Sequence, residues 1–124
     1  MKKYLNTLEE EFKVIKIEDQ ISTKYEVASI LRRHPKDTVI FENIKESEMK
    51  IISGICNTRE KIARGISVTV PEITKKIMEA TENPLPIENI ESIQNNYITQ
   101  KEPDLSEIPV PTYYKKDGGA CKRP

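Results

Sequence analysis

Short apolar runs typical of β-strands alternate along this chain with segments that carry helix-start signals. Residues 12–17 and 39–41 are rich in β-branched and aromatic side chains, a composition typical of strands. Residues 49–52 form a further candidate strand, which Gly54 ends. Because strands that alternate with helices favour layered folds over bundles, the sequence predicts an α/β (α+β) domain. We expect a small mixed sheet flanked by short helices.

Capping signals and apolar periodicity predict four helices along the chain. Thr23 and Thr69 are each followed three residues later by glutamate, the spacing of a capping box, and Asn57 offers a further N-cap. The spacing of Ile73, Ile77 and Ala80 predicts that they lie on one face of the last helix. The predicted helices cover residues 2–10, residues 24–33, a short segment finishing at Gly65, and a segment ending near Asn83-Pro84.

Prolines divide the chain into two parts. Six of the eight prolines lie at or after position 84, and repeated X-Pro steps bias the backbone away from helix. The sequence therefore predicts a domain over residues 1–100, with a last strand at 93–99. An extended, polyproline-like connector is predicted over residues 101–124.

Charge and hydropathy exclude several classes of protein. Twenty basic and twenty acidic residues cancel, which gives no support for binding to nucleic acid or to an anionic membrane. No apolar stretch approaches the ~20 residues that span a bilayer, and no apolar segment follows the Met-Lys-Lys start as in a secretory signal. We expect a cytoplasmic chain in which Cys56 and Cys121 are reduced thiols.

Individual residues that could carry chemistry lack partners in the sequence. His34, beside a proline, has no Cys or His neighbours at the spacing that zinc needs, and a solvated histidine at a helix end is predicted. Cys56 has no base near it and is predicted to be a small buried thiol. The carboxylates at 9–11 are predicted to lie on a solvated helix face. Glu42-Asn43 is predicted to form a turn that ends a strand, although polar residues at strand ends also line sites in α/β folds. The sequence therefore predicts no catalytic, cofactor-binding or metal-ligating residue, and Gly118-Gly119 is predicted to form a turn.

Several segments, taken in order, resemble the N-terminal part of the UbiD-family decarboxylases. The runs Phe41-Glu42-Asn43 and Cys56-Asn57-Thr58-Arg59 are most similar to the archaeal branch of that family, the anhydromevalonate phosphate decarboxylases. The matching segments are residues 4–9 with the strand 14–17, residues 25–33, residues 39–45, residues 54–63, and residues 104–119.

The resemblance implies a cytoplasmic lyase as the parent protein. It would remove CO2 from trans-anhydromevalonate 5-phosphate, a small phosphorylated carboxylic acid, to give isopentenyl phosphate in the archaeal mevalonate pathway. Prenylated FMN would accept the charge left on carbon, with a divalent metal such as manganese, and the complete enzyme would be a homo-oligomer. Two alternatives stay open: decarboxylation of an aromatic acid in quinone biosynthesis, and a stand-alone binding or assembly module.

The resemblance assigns no functional residue to this chain. In the family an aromatic-Ile-Thr strand follows the Gly-Gly turn and begins the flavin-binding split barrel, whereas Ala120-Cys121-Lys122-Arg123-Pro124 stands here. The family's catalytic network, phosphate-binding segment and metal ligands would all lie downstream. We therefore expect an inert fragment with a truncated or frame-shifted end, to which no cofactor binds alone.

Overall fold

The protein is described by a computed structural model covering residues 2–86 and 104–117. Within these residues a three-stranded mixed sheet has the order β1-β2-β3, with β1 parallel and β3 antiparallel to β2. This confirms the predicted small mixed sheet flanked by short helices. The elements are α1 (Lys2–Glu11), β1 (Val14–Ile21), α2 (Glu26–Arg33), β2 (Thr38–Ile44), β3 (Ile51–Ser53), α3 (Arg59–Gly65) and α4 (Ile73–Glu82), with 3-10 turns at Val70–Glu72 and Leu105–Glu107.

The central strand β2 is covered on both of its faces. Val39 and Phe41 are fully buried and pack with Val27 of α2. On the opposite face, Thr38 and Ile40 line a small cavity together with the fully buried Leu8 of α1. Because consecutive strand residues point to opposite faces, a continuous apolar run at 39–41 requires a cover on each side, which α1 and α2 supply.

Strand β1 is longer than the sequence predicts. Asp19 and Gln20, which follow the predicted strand segment 12–17, lie inside the strand, and pairing with β2 resumes at Gln20 after a register irregularity. Both side chains are exposed, so an edge strand accommodates them without burying a polar group. An irregularity of this kind lets a strand absorb residues that break its alternation.

The helix caps agree with the predictions at one site and differ at two. Thr69 and Glu72 form the predicted capping box, and the Thr69 N–H donates to the Glu72 carboxylate at 2.9 Å. Helix α2 has no side-chain cap, since its N-cap is Tyr25 in the left-handed region (φ 68°). Helix α3 is capped by Thr58, whose hydroxyl accepts from the Lys61 N–H at 3.3 Å. The Asn57 side chain is therefore free for other contacts.

Helix α3 ends in a Schellman motif that the glycine position alone does not reveal. Gly65, its last residue, was predicted correctly as the end, but the left-handed position falls on Ser67 (φ 57°). The Ser67 N–H donates to the Arg64 carbonyl at 3.2 Å, and the Val68 N–H donates to the Ala63 carbonyl at 2.9 Å. A residue with a Cβ is disfavoured at such a position, where glycine is usual.

Replacing Ser67 with glycine is expected to stabilise the protein. Ser67 is exposed, and glycine occupies the left-handed region without the Cβ penalty, so we expect the free energy of unfolding to rise by about 1 kcal/mol. Urea denaturation followed by circular dichroism measures this change. Ser67→Ala is the matched control, with no expected gain; an equal gain in both variants would contradict the explanation.

The predicted last strand at 93–99 and the Gly118-Gly119 turn lie outside the described residues. Within 104–117 the backbone is extended at Asp104 and Ile108, with the single 3-10 turn between them. Thr112 then forms a parallel bridge with Lys24. None of the helices in the two described ranges is long and apolar enough to cross a bilayer.

Candidate functional site

The most buried charged group that the structure describes is the ammonium of Lys61. Its side chain is 1% exposed, and Nζ donates to oxygens of four other residues between 2.8 and 3.0 Å away. An ammonium carries three protons, so at least two acceptors share one. The acceptors, which with Lys61 form what we call the Lys61 cage, are the Lys36 and Gly54 carbonyls, the Thr38 hydroxyl and the Asn57 side-chain oxygen.

The Lys61 cage joins four parts of the chain around one positive charge. Lys36 precedes β2, Thr38 begins it, Gly54 follows β3, and Asn57 precedes α3. Burial lowers the pKa of Lys61, while the nearby Asp37 carboxylate and the Cys56 thiol act in the opposite direction. Because the ammonium is buried and its three protons are shared among four oxygens of the fold, the cage fits a structural role better than a catalytic one.

Asn57 completes the cage from its other side. Its Nδ2 donates to the Pro35 carbonyl at 3.0 Å and to the Asp37 carbonyl at 3.1 Å, while its Oδ1 accepts from Lys61. The sequence pattern indicated an N-cap at Asn57 and did not single out Lys61. The sequence signal for the contact between Asn57 and Lys61 is their spacing of four residues, which places both side chains on one side of a helix start.

Cys56 is exposed, so the prediction of a small buried thiol is wrong. The segment between β3 and α3 lies at the surface, with Gly54 and Ile55 only partly covered. The Tyr4 hydroxyl lies beneath this segment, within donating distance of the Ile55 carbonyl at 2.9 Å and the Lys61 carbonyl at 2.6 Å. Burial raises the pKa of Tyr4, and the neighbouring Cys56 adds to the increase. The Tyr4 hydroxyl, which interacts with the Cys56 thiol, is thus kept protonated and does not act as a base toward it.

His34 lies at the predicted helix end, as the C-cap of α2. It is only partly exposed, and its Nδ1 lies 3.0 Å from Asp37 Oδ2, which also accepts from Lys13 Nζ at 3.2 Å. The hydrogen bonds from His34 and Lys13 lower the pKa of Asp37 from its ordinary value. The predicted solvated histidine is thus half-buried beside a carboxylate, an arrangement that fixes the loop before β2.

A cavity of about 530 Å³ lies at the carboxyl ends of β1 and β2. Open α/β sheets bind ligands at this edge. Glu42 and Asn43 line it, but both lie inside β2, so the strand-ending turn predicted there is wrong and the strand runs on to Ile44. The lining also includes Glu46, Glu48 and Glu107 but a single basic residue, Lys45, which makes the cavity acidic.

The acidic cavity does not fit a flavin phosphate or a metal. Like charges repel a phosphate, and Glu42 is already paired with Lys50 Nζ at 3.1 Å. Although burial acts to raise the pKa of Glu46, hydrogen bonds from Ser22 and Thr23 outweigh it and lower that pKa. Among residues 2–86 and 104–117, no group of three or more His, Cys, Asp or Glu side chains is arranged to hold a metal ion.

The predicted solvated carboxylates at 9–11 are exposed on α1, as expected. Two of them still form ion pairs that attach α1 to its surroundings. Glu9 pairs with Lys16 Nζ at 2.7 Å, and Glu11 accepts a forked contact from the Arg64 guanidinium of α3. The carboxylates at 9–11 therefore attach α1 to β1 and α3 by ion pairs at the surface.

The chain is similar to two curated decarboxylases. It is 48% identical over 119 residues to the anhydromevalonate phosphate decarboxylase of Methanothermobacter thermautotrophicus, covering 96% of this chain and 27% of that protein. It is 25% identical over 115 residues to the anhydromevalonate phosphate decarboxylase of Methanosarcina mazei, covering 93% of this chain and 26% of that protein. The chain thus spans about a quarter of the length of the curated relatives it matches.

Solved structures show the same fold. The UbiD-class enzyme HmfF from Pelotomaculum thermopropionicum, in complex with prFMN, superposes with a TM-score of 0.79 at 24% identity, over 96% of this chain and 29% of that chain. The apo 3,4-dihydroxybenzoic acid decarboxylase AroY of Klebsiella pneumoniae superposes with a TM-score of 0.62 at 14% identity, over 68% of this chain and 20% of that chain.

The family described as 3-octaprenyl-4-hydroxybenzoate carboxy-lyase N-terminal domain matches residues 5–81. That range contains every element from β1 to α3 and most of α1 and α4. With the described fold, the curated relatives and the UbiD-class structures in agreement, this chain belongs to the UbiD N-terminal domain family.

Proposed function

We propose that this chain is the N-terminal domain of a decarboxylase that converts trans-anhydromevalonate 5-phosphate to isopentenyl phosphate in the archaeal mevalonate pathway. The observation that carries the proposal is the 48% identity over 119 residues to the Methanothermobacter enzyme. In this proposal residues 1–100 form the domain and residues 101–124 lead to a flavin-binding part. The complete protein is a cytoplasmic homo-oligomer.

The chemistry in this proposal lies outside the described residues. Prenylated FMN, with a divalent metal such as manganese, would supply the electron sink that decarboxylation needs. The described residues hold no group of three or more ligands arranged for a metal, and the cavity at the carboxyl ends of β1 and β2 is too acidic for a phosphate. We therefore assign no catalytic, cofactor-binding or metal-binding role to residues of this chain.

The surface of α4 supports a role as one part of a larger protein. Ile73 is buried, but Ile77, predicted to lie on the same face, is 56% exposed, and Met78 is 57% exposed. A ten-residue helix is marginal without packing. Contact with further polypeptide would bury these side chains and stabilise α4 in place.

A chimeric enzyme tests the proposal. Residues 1–117 of this chain are joined to the remaining part of the Methanothermobacter decarboxylase, and decarboxylation of trans-anhydromevalonate 5-phosphate is measured with prenylated FMN and manganese. We expect the chimera to retain decarboxylation, because the segment that it replaces is 48% identical to this chain over 119 residues. An inactive but folded chimera would contradict the proposal.

Two controls separate the alternatives. The 124-residue chain alone, with the same cofactors, is expected to be inactive; turnover by this chain would contradict the absence of catalytic residues. The chimera is also given 4-hydroxybenzoic acids, and a preference for them would favour the aromatic-acid alternative. A chain that is monomeric, cooperative and unable to support the chimera would instead favour the stand-alone module.

A further inference from the structure

The segment after the second 3-10 turn is attached to the start of α2 by its backbone. The Thr112 N–H donates to the Thr23 carbonyl at 2.9 Å, and the Tyr25 N–H donates to the Thr112 carbonyl at 3.1 Å. Thr23 is itself buried, and its N–H donates to the Glu46 carboxylate at 2.9 Å. The anchor for Thr112 is therefore a fixed part of the fold.

The residues that come after Thr112 are held by a carboxylate within the segment. Asp117 Oδ2 accepts from the Tyr113 N–H at 2.9 Å and from the Tyr114 N–H at 2.8 Å. The Asp117 N–H in turn donates to the Tyr114 carbonyl at 3.1 Å. We call residues 112–117 the clasp. Of the six backbone polar groups in residues 112–114, five are satisfied by these contacts and those of Thr112.

The sixth group, the Tyr113 carbonyl, is satisfied by Arg32 of α2. Arg32 Nη2 donates to it at 3.2 Å, and the guanidinium carbon lies 4.9 Å from the centroid of the Tyr114 ring. No carboxylate in the two described ranges forms an ion pair with Arg32. Both the hydrogen bond and the cation–π contact of this guanidinium are therefore made to the clasp.

We propose that Arg32 is a positioning residue, which holds the clasp against α2 and so fixes the direction in which the chain continues past residue 117. The inference rests on the proposed function, since the curated relatives are about four times longer than the matched region. A planar guanidinium donates in its plane and stacks by its face, and lysine reproduces only part of this. The orientation of the flavin-binding part relative to the sheet then depends on Arg32 together with the backbone anchor at Thr112.

Hydrogen exchange of the 124-residue chain tests whether Arg32 holds the clasp. We expect Arg32→Ala to increase the exchange rates of the Thr112, Tyr113 and Tyr114 amides about tenfold, because a hydrogen bond and a cation–π contact are both lost. Arg32→Lys is expected to give an intermediate rate. Alanine favours helix, so α2 stays folded. Unchanged exchange in Arg32→Ala would overturn the inference.

Two matched variants sharpen this test. Arg33 neighbours Arg32 on α2, and it has no hydrogen bond or ion pair to the residues described, so Arg33→Ala should leave clasp exchange within about twofold of wild type. Tyr114→Phe keeps the ring and should retain slow exchange, whereas Tyr114→Leu should lose it. Equal effects of Phe and Leu would show that the ring contact does not hold the clasp.

The chimera tests whether the clasp positions the flavin-binding part. We expect Arg32→Ala to lower kcat about tenfold with little change in KM, since a small misplacement of reacting groups slows the chemical step. Unchanged kcat together with faster clasp exchange would overturn the positioning role. If the chimera with Arg32 intact is inactive, the proposed function fails, while the exchange data still decide whether Arg32 holds the clasp.

Discussion

Lys61→Ala is expected to destabilise the protein more than any other substitution of a charged residue that the structure describes. The variant leaves four oxygens of the Lys61 cage without their shared donor and opens a cavity between β2 and α3. Buried acceptors that lose a charged partner, together with the lost packing, predict a decrease of about 3–5 kcal/mol in the free energy of unfolding. Many domains have only about 5–15 kcal/mol in total.

Urea denaturation followed by circular dichroism measures the Lys61 effect. Lys76→Ala is the matched control, because Lys76 is exposed on α4 and surface substitutions usually change stability by less than about 0.5 kcal/mol. Lys61→Met retains most of the volume but no donor, and it should lie between the control and Lys61→Ala. A loss below about 1 kcal/mol in Lys61→Ala would contradict the role given to the cage.

Gly54→Ala is expected to have the second largest effect, through the backbone. Gly54 has φ of 74°, and a Cβ there would overlap the Asp37 carbonyl oxygen and approach Asn57 Nδ2 to 2.9 Å. Backbone atoms yield little, so the strained φ and the overlap together predict a loss of about 2–4 kcal/mol. The same change would displace Asn57 and the Gly54 carbonyl, and so would weaken the Lys61 cage.

Gly65→Ala is the matched control for this glycine. Gly65 lies in α3, and a Cβ there would meet the Tyr4 ring at 3.5 Å, an ordinary contact distance. Alanine favours a helix over glycine by about 1 kcal/mol, so no loss of stability is expected. Thermal unfolding of both variants provides the comparison, and similar losses would show that the effect at Gly54 does not come from its conformation.

The Lys61 cage and the clasp stabilise different parts of this domain. The cage joins the loops at one end of the sheet, where β2 begins and β3 ends. The clasp sets the path of the chain beside α2. Neither brings together groups that could transfer a proton or hold a flavin. In the proposed enzyme, this domain contributes a rigid surface of fixed geometry to chemistry that takes place elsewhere.

The sequence by itself determined the elements whose causes are local. The apolar run at 39–41 predicted β2, the strand that is covered on both of its faces. The Thr69–Glu72 spacing predicted a capping box, and the proline at position 35 predicted the end of α2. These features depend on side chains within a few residues of one another. The resemblance to UbiD-family decarboxylases likewise arises from short segments in a shared order, and the family match confirms it.

Only the tertiary structure decided which polar residues are buried and which are exposed. Lys61 has the sequence neighbourhood of an ordinary surface lysine, yet oxygens from the start of β2, the end of β3 and the approach to α3 surround it. Cys56, predicted to be buried, lies on an exposed loop. Arg32 donates to the Tyr113 carbonyl, which lies 81 residues away in the sequence. Such contacts join residues far apart in the chain, and no local spacing encodes them. They exist because the sheet and helices pack in one arrangement, which brings a donor and its acceptors to the same place.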